Sequence, residues 1–521
     1  MTILKRFTRT PLSNQSIKGV LLFVLLSAHT AYAQVEWQEY NRQSFEKARQ
    51  EKKLLLLDLK ANWCHWCHVM DQKTYADPRV SAELNSHYVA MKVDHDARPD
   101  LAERYRDWGW PATIILTPDG QELHKQAGFI RADQFLALLT EIKNRPHSQE
   151  KTLAFPNNLA ESPQIDSRLE KTLQQRHLSS FDSILGSLKL KQKFIDPEAV
   201  LWDLKLSADG DSSARKRVTL TLDNAMALID PVFGGAYQYS THGDWEHPHY
   251  EKIMAMQANY ILIYATAYRQ LNNPGYLEAA QAVASYLNRF LSDANGGFYT
   301  SQDADLKQGS KAHDYFQADL QTRLQQGIPK IDKHQYAAEN GLAIDAFLHL
   351  YDASGQEQYL HRAEQAFKWV EQSRRLGRGG YRHDRIDYAG PYLADTLNMG
   401  IAWLHLYHSK GDTVALKKAR QAVEFIQRYF RHPRGGLVSA ADNGTPVVPL
   451  PQLDQNIRAA RFLLNVYMAE AADSDPVLEL ARHILRYLNT EEIALSRLTD
   501  AGILSVNDSY RHIVRKESKK N

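Results

Sequence analysis

Residues 63–68 read Trp63, Cys64, His65, Trp66, Cys67 and His68, and they include both cysteines of this 521-residue chain. Sulfur chemistry is therefore confined to one local site, with no further thiol to build a structural cross-link. Two cysteines separated by two residues close a small ring when the turn between them opens a helix, and the helix N-terminus then stabilises a thiolate on the first. That geometry favours exchange over static cross-linking. Cys64 and Cys67 are the expected redox pair, and their disulfide takes the place of any bound cofactor. Trp63, His65 and His68 are placed to tune the thiolate; a histidine beside it makes the disulfide easier to reduce.

Two other chemistries share this spelling. C-x-x-C-H is also the attachment signal for a c-type haem, and His65, His68, Asp94, His95 and Asp96 are possible zinc ligands. Context favours the dithiol, and no metal is expected. Ahead of it, residues 54–59 (LLLLDL) read as a buried strand, and a helix-compatible stretch follows it. Pro111 opens the apolar run 112–116 instead of interrupting one, and the bond before it is a candidate for the cis form. Pro118, Asp119 and Gly120 turn the chain into a hairpin, and 132–143 reads as a closing helix. A haem reading leaves the strand, the proline and the hairpin unexplained.

Strand, helix, strand, helix, strand, strand, helix is an order that resembles a thioredoxin fold over residues 34–145. The resemblance implies that Pro111 faces the Cys64–Cys67 pair. It also gives a role to Asp58, six residues before Cys64, as a buried acid acting on the proton of the second cysteine.

Lys5, Arg6, Arg9 and Lys18 precede or border the apolar run 20–26, and Ala31, Tyr32 and Ala33 offer a small-x-small cleavage site. Residues 1–33 therefore read as an export signal, too short in its apolar part to be a stable membrane span. A periplasmic or secreted protein, soluble after signal cleavage, is expected. The formal charge is +2; removing four cations and no acids leaves about −2, which gives no electrostatic case for nucleic acid.

The length exceeds one thioredoxin unit, so a second domain is required. Residues 146–165, with Pro146, Pro156 and Pro163 among polar residues, suit a linker. From 166 to 512 long amphipathic helices alternate with glycine pairs at 234–235, 296–297, 379–380 and 435–436. Asn259, Asn340, Asn398 and Asn456 each sit near a helix start, at intervals of 81, 58 and 58 residues. Such spacing suits helical hairpins joined by variable loops, and about twelve helices with almost no strands predict an all-α (α/α)6 toroid.

Polar groups in the glycine-punctuated loops of such a toroid meet at one mouth, where a ligand would bind. One stretch runs from Asp230 through Gly234, Gly235 and Tyr237 to Trp245, His247, His249 and Glu251. The other runs from Gly296 through Tyr299 to Asp303 and Asp305. Taken with WCHWCHVM and VDHDARPD, these strings resemble the thioredoxin-like family related to spermatogenesis-associated protein 20, over nearly all of the chain after the leader. The resemblance implies a thioredoxin domain followed by a toroid of six-hairpin glycosidase type. Ala236 departs from it, standing where the family has an aromatic residue, and the chain after Asp305 lacks the family's longer acidic insert.

Paired carboxylates hydrolyse glycosidic bonds, and Glu251 with Asp303 or Asp305 is the candidate pair. Tyr237, Trp245 and Tyr299 are candidates for stacking on a sugar ring, with His247 and His249 bonding its hydroxyls or moving a proton for an epimerase. Equally, Glu251 and the Asp303 to Asp305 loop are suited to capping helix starts. The leading expectation is an exported thiol–disulfide oxidoreductase acting on a protein thiol or disulfide partner, with a toroid that binds that partner or a glycan or small sugar. The alternatives are a carbohydrate-active enzyme using the thioredoxin module for docking or regulation, and a non-catalytic interaction protein.

Overall fold

The computed structural model describes residues 34–106, 109–146, 155–387, 389–470 and 475–518. The expected leader, 1–33, lies outside them, as does the 147–154 part of the expected linker.

The N-terminal part comprises α1 (Arg42–Glu51), β1 (Leu54–Lys60), α2 (His65–Met70), α3 (Pro78–His87), β2 (Tyr88–Asp94), α4 (Pro99–Arg104), β3 (Ala112–Leu116), β4 (Glu122–Ala127) and α5 (Ala132–Asn144). The strands form one sheet in the order β2-β1-β3-β4, with β1 parallel to β2 and the other pairs antiparallel. Because β1 is central and covered on both faces, it has no polar alternation. Leu55, Leu57 and Leu59 pack with Phe45 of α1 and Leu101 of α4. Leu56, pointing the other way as the pleat requires, packs with Met70 of α2, Leu84 of α3 and Phe135 of α5. This is the layering of a thioredoxin fold. Helix α1 precedes the elements expected from the sequence.

Among the described residues the rest of the chain is mainly helical, with a few two-residue strands in its loops. It comprises α6 (Ser167–Ser180), α7 (Pro197–Ala208), α8 (Ser212–Ala225), α9 (Met254–Leu271), α10 (Pro274–Phe290), the short α11 (His313–Gln317) and α12 (Leu320–Gln326), α13 (Ala337–Ser354), α14 (Glu357–Ser373), α15 (Leu393–Lys410), α16 (Thr413–Tyr429), α17 (Leu453–Ala469), α18 (Asp475–Leu488), the short α19 (Glu491–Ala494) and α20 (Ala501–Ser518). Helices α7, α9, α13, α15, α17 and α20 pack each on the next, and α20 returns to α7, so they close an inner ring. Each of α8, α10, α14, α16 and α18 backs the inner helix before it, and α6 packs on α20, joining the two ends of the helical region into the sixth pair. The sequence explains which helix goes where. Helix α13 is buried on most sides, from Ala337 to Leu350, whereas α16 buries only one stripe containing Ala415, Ala419, Ala422, Val423 and Ile426.

The fourth residue of four inner helices pins the loop ahead of it. The Gln257, Asn340 and Asn456 amides each accept from and donate to one loop residue, Ala236, Phe298 and Leu437 respectively. Thr396 Oγ1 accepts from Tyr381 N–H at the same place in α15. The repeat is thus carried by Gln257 and Thr396 rather than by Asn259 and Asn398, because the requirement is a hydrogen-bonding side chain one turn into the helix, not asparagine itself.

Toroid loops also reach into the thioredoxin layer. Val447 is buried in the same cluster as Leu55 and Phe45, and Arg104 donates to the Val448 carbonyl. The alignment of the two parts is built from side chains on both.

Candidate functional site

Cys64 is the N-cap of α2 in extended conformation, and its Sγ accepts the Cys67 N–H at 3.1 Å. A cap normally uses a hydroxyl or carboxylate; here sulfur occupies that position, close to the positive end of the helix. The helix continues through the π turn Asp71–Tyr75. Cys64 and Cys67 are joined as a disulfide. Trp110 packs against them, and the Trp110–Pro111 peptide that follows is cis. Asp58 lies in the middle of β1, opposite Lys92 of β2 and Thr113 of β3. Burial raises its carboxyl to about 6, against the pull of Lys92 at 3.8 Å, and its Oδ1 has no hydrogen-bond partner.

The dithiol is covered from the toroid side. Cys64 and Cys67 are 4% and 2% exposed, and Ile253, at the entrance to α9, packs on them. His65 Nδ1 lies 2.7 Å from Asp305 Oδ1, and His68 Nε2 lies 3.0 Å from Asp303 Oδ2. The loop is fixed in turn: Asp303 Oδ1 accepts from Asp305 N–H, and Asp305 Oδ2 from Gly309 N–H. Asn62 donates to Asp332 from the other side. Glu251 sits beside this cluster. Burial, with Asp303 and Asp305 nearby, pushes its carboxyl up to about 8, and Oε2 is unpartnered. His249, 3.7 Å from Glu251 and stacked on Tyr239, is held down at about 4 by burial and by the His65 and Lys311 charges.

Half of the toroid residues selected from sequence therefore converge on the dithiol helix: His249, Glu251, Asp303 and Asp305. The others do not. Tyr237 is buried edge-on to Tyr250 and Phe316; Trp245 donates to the Leu185 carbonyl; Tyr299 donates to Asp293; and His247 pairs with Asp244 at the surface. Among the flanking residues, Trp63 donates its indole N–H to Asp96 at 2.9 Å.

Asp96 begins a path the local sequence does not announce. His95 Nδ1 is 2.7 Å from its carboxylate, and His383 Nε2 donates to its carbonyl at 2.7 Å. His383 Nδ1 is 2.8 Å from Asp395. Burial opposes a charge on His383, but Asp395 and Glu339 outweigh it and raise the imidazole to about 10. Neither Asp395 nor His383 is marked by a motif in the sequence. His68, Asp303 and Asp305 have ligand atoms within 4.8 Å of one another, with His68 paired to Asp303 and Asp305 to His65.

A dithiol at a helix start within a four-stranded α/β layer, closed over by a ring of helical hairpins, defines a two-part protein of thioredoxin-like fold and (α/α)6 toroid. The model of a family described as Thioredox_DsbH, a protein of unknown function, DUF255, matches residues 24–159. Spermatogenesis-associated protein 20 of Homo sapiens is 27% identical over 312 residues, which is 53% of this chain and 39% of that protein. Thioredoxin H-type of Fagopyrum esculentum is 34% identical over 114 residues, 22% of this chain and 85% of that protein. The chain belongs to the thioredoxin-like proteins and is homologous to spermatogenesis-associated protein 20. It spans well under half the length of that relative. A solved sugar epimerase from a ruminal bacterium superposes with a TM-score of 0.48 at 14% identity, covering 62% of this chain and 86% of the epimerase. The toroid's own inner ring closes where α20 packs on α7.

Proposed function

We propose that the chain is a thiol–disulfide oxidoreductase working outside the cytoplasm, with Cys64 as nucleophile and Cys67 as resolving thiol. The observation that carries this reading is the placement of Cys64 Sγ at the cap of α2, 3.1 Å from the Cys67 N–H, where a thiolate is stabilised. In the reduced protein the Cys64 thiolate attacks a partner disulfide, forming a mixed disulfide and releasing one partner thiolate, which takes up a proton. Cys67 loses its proton to the Asp58 carboxylate and attacks Cys64 Sγ; the second partner sulfur leaves, and two electrons have passed to the partner. The product is the closed pair seen here. The reaction runs equally in reverse, with direction set by the potentials of the two couples.

Since both sulfurs are buried, the loop carrying Asp303 and Asp305 has to lift from α2 before a protein partner reaches them. The toroid thereby acts on the dithiol directly instead of serving as a separate module. The test is reduction of a disulfide substrate by the full chain with an external dithiol. Activity is expected in the native protein and should be lost in Cys64→Ser; a Cys64→Ser protein of full activity overturns the reading.

A second reading rests on Glu251. A buried carboxyl raised to about 8 with a histidine 3.7 Å away is suited to moving a proton on a small ligand such as a sugar. Activity on a sugar panel that survives loss of both cysteines and disappears in Glu251→Gln would favour it.

A further inference from the structure

A second cluster of titratable side chains lies on the toroid axis, away from the dithiol. Asp345, His349 and Asp352 fall on one face of α13, at spacings of four and three residues. His405 comes from α15, Arg269 from α9, and Arg458 of α17 lies within electrostatic reach of Asp345. Helices α9 and α17 are not neighbours in the ring, so residues from both reach one cluster only along the axis. The start of α13 faces the thioredoxin part, since the Ala337 N–H donates to His383, which in turn bonds to Asp96. His349 is twelve residues further along, roughly 18 Å deeper at the helical rise.

The geometry has the features of a three-ligand metal centre. Asp345 carboxylate, a His349 ring nitrogen and a His405 ring nitrogen all lie within 4.8 Å of one another. A tetrahedral zinc with bonds near 2.0 Å needs ligand atoms about 3.3 Å apart, so only small side-chain shifts are required. His405 is preset for that role. Its Nδ1 is 2.6 Å from Asp345, while its Nε2 is 3.1 Å from Asp352. A carboxylate on the far nitrogen is the outer support that orients a ligating histidine. The His349 ring, 4.3 Å from that of His405, has only a distant carboxylate contact, 3.9 Å to Asp345. Its side chain is 27% exposed, which leaves an ion a route in.

We propose that Asp345, His349 and His405 bind one divalent transition-metal ion, zinc by ligand type, with the fourth position open to water or a small ligand and Asp352 holding His405 in place. The ion replaces the proton shared by His405 Nδ1 and Asp345, which passes to solvent. Arg269 and Arg458 share the charge of the carboxylates and moderate the affinity. A mixed nitrogen and oxygen donor set with one open position is the pattern of a zinc that activates water or polarises a carbonyl. The site is independent of the dithiol reading, because neither cysteine takes part.

The test uses the full chain with its disulfide closed, stripped with a chelator and titrated with zinc, then with cobalt(II). One equivalent of zinc should be retained through gel filtration. Cobalt should give the visible absorption of a four-coordinate site without sulfur-to-metal charge transfer. His349→Ala with His405→Ala should retain none. Should that double variant fail to fold, His349→Gln, which keeps both His405 hydrogen bonds, should weaken zinc binding at least tenfold with an unchanged circular dichroism spectrum. No retained zinc, retention unaffected by these substitutions, or retention abolished instead by His68→Ala overturns the proposal.

Discussion

His65 Nδ1 and Asp305 Oδ1 are 2.7 Å apart across 240 residues of sequence. One belongs to the turn between the two cysteines and the other to a toroid loop, so their pairing makes the dithiol site a joint product of both parts. Its neighbour pair, His68 with Asp303, repeats the contact one helical turn along.

Cutting the first of these contacts should open the site. Asp305→Ala leaves the His65 ring without its partner, and a buried polar group so abandoned costs about 1–3 kcal/mol. The thermal midpoint should fall, and reduction of the Cys64–Cys67 disulfide by a small dithiol should become several-fold faster. Unchanged reduction kinetics, followed by mass-shift alkylation, would mean that the loop does not restrict access.

Asp58 should matter in opposite senses for activity and stability. Burial raises its folded pKa to about 6 from 3.8, so the folded state holds the proton longer than the unfolded one and stability falls as pH rises between those values. Asp58→Asn removes that loss. At pH 7 the variant should be the more stable in urea, while its mixed disulfide with a model substrate resolves more slowly because the proposed proton acceptor for Cys67 is gone.

The same sign applies, over a wider window, to Glu251, raised from 4.5 to about 8. Wild-type stability should decline from pH 4.5 to 8 by this contribution. Glu251→Gln, matched to wild type near pH 4.5, should gain on it steadily up to pH 8. Parallel denaturation profiles for the two proteins would show that Glu251 ionises normally.

His383 behaves in the reverse manner. Its folded pKa of about 10 lies above the 6.5 of an unfolded imidazole, so its contribution is fully present below pH 6.5 and is lost as pH rises through 10. Because His383 bonds Asp395 and the Asp96 carbonyl together, His383→Gln should cost about 3–5 kcal/mol at pH 6 and flatten the alkaline limb of the stability profile. Chemical denaturation at pH 6 and pH 10 measures both.

Local pattern carried the elements. The unbroken apolar run at 54–59 is a central strand because two layers of helix cover it, the dithiol does begin a helix, and Pro111 does precede an apolar strand beside Trp110. The twelve long helices were legible from their amphipathic stripes and glycine pairs. What local pattern lacks is the meeting of distant loops. Asp303 and Asp305 look alike whether they cap a helix, bind a sugar or grip His68 and His65, since their own neighbours in sequence are the same in each case. His383 carries no local signal either; its importance comes from Asp395 and Asp96, one just ahead in sequence and the other 287 residues away. Even the asparagine repeat was only partly visible, because glutamine at 257 and threonine at 396 fill the same hydrogen-bonding place.

The most direct measurement is capture of a mixed disulfide by the full chain bearing Cys67→Ser, expressed from residue 1 and quenched with acid and alkylating agent. The account predicts a covalent adduct on Cys64 that a dithiol releases and that Cys64→Ser abolishes. A Cys67→Ser protein whose Cys64 stays a free thiol under every quench, or an adduct that persists without Cys64, would contradict it.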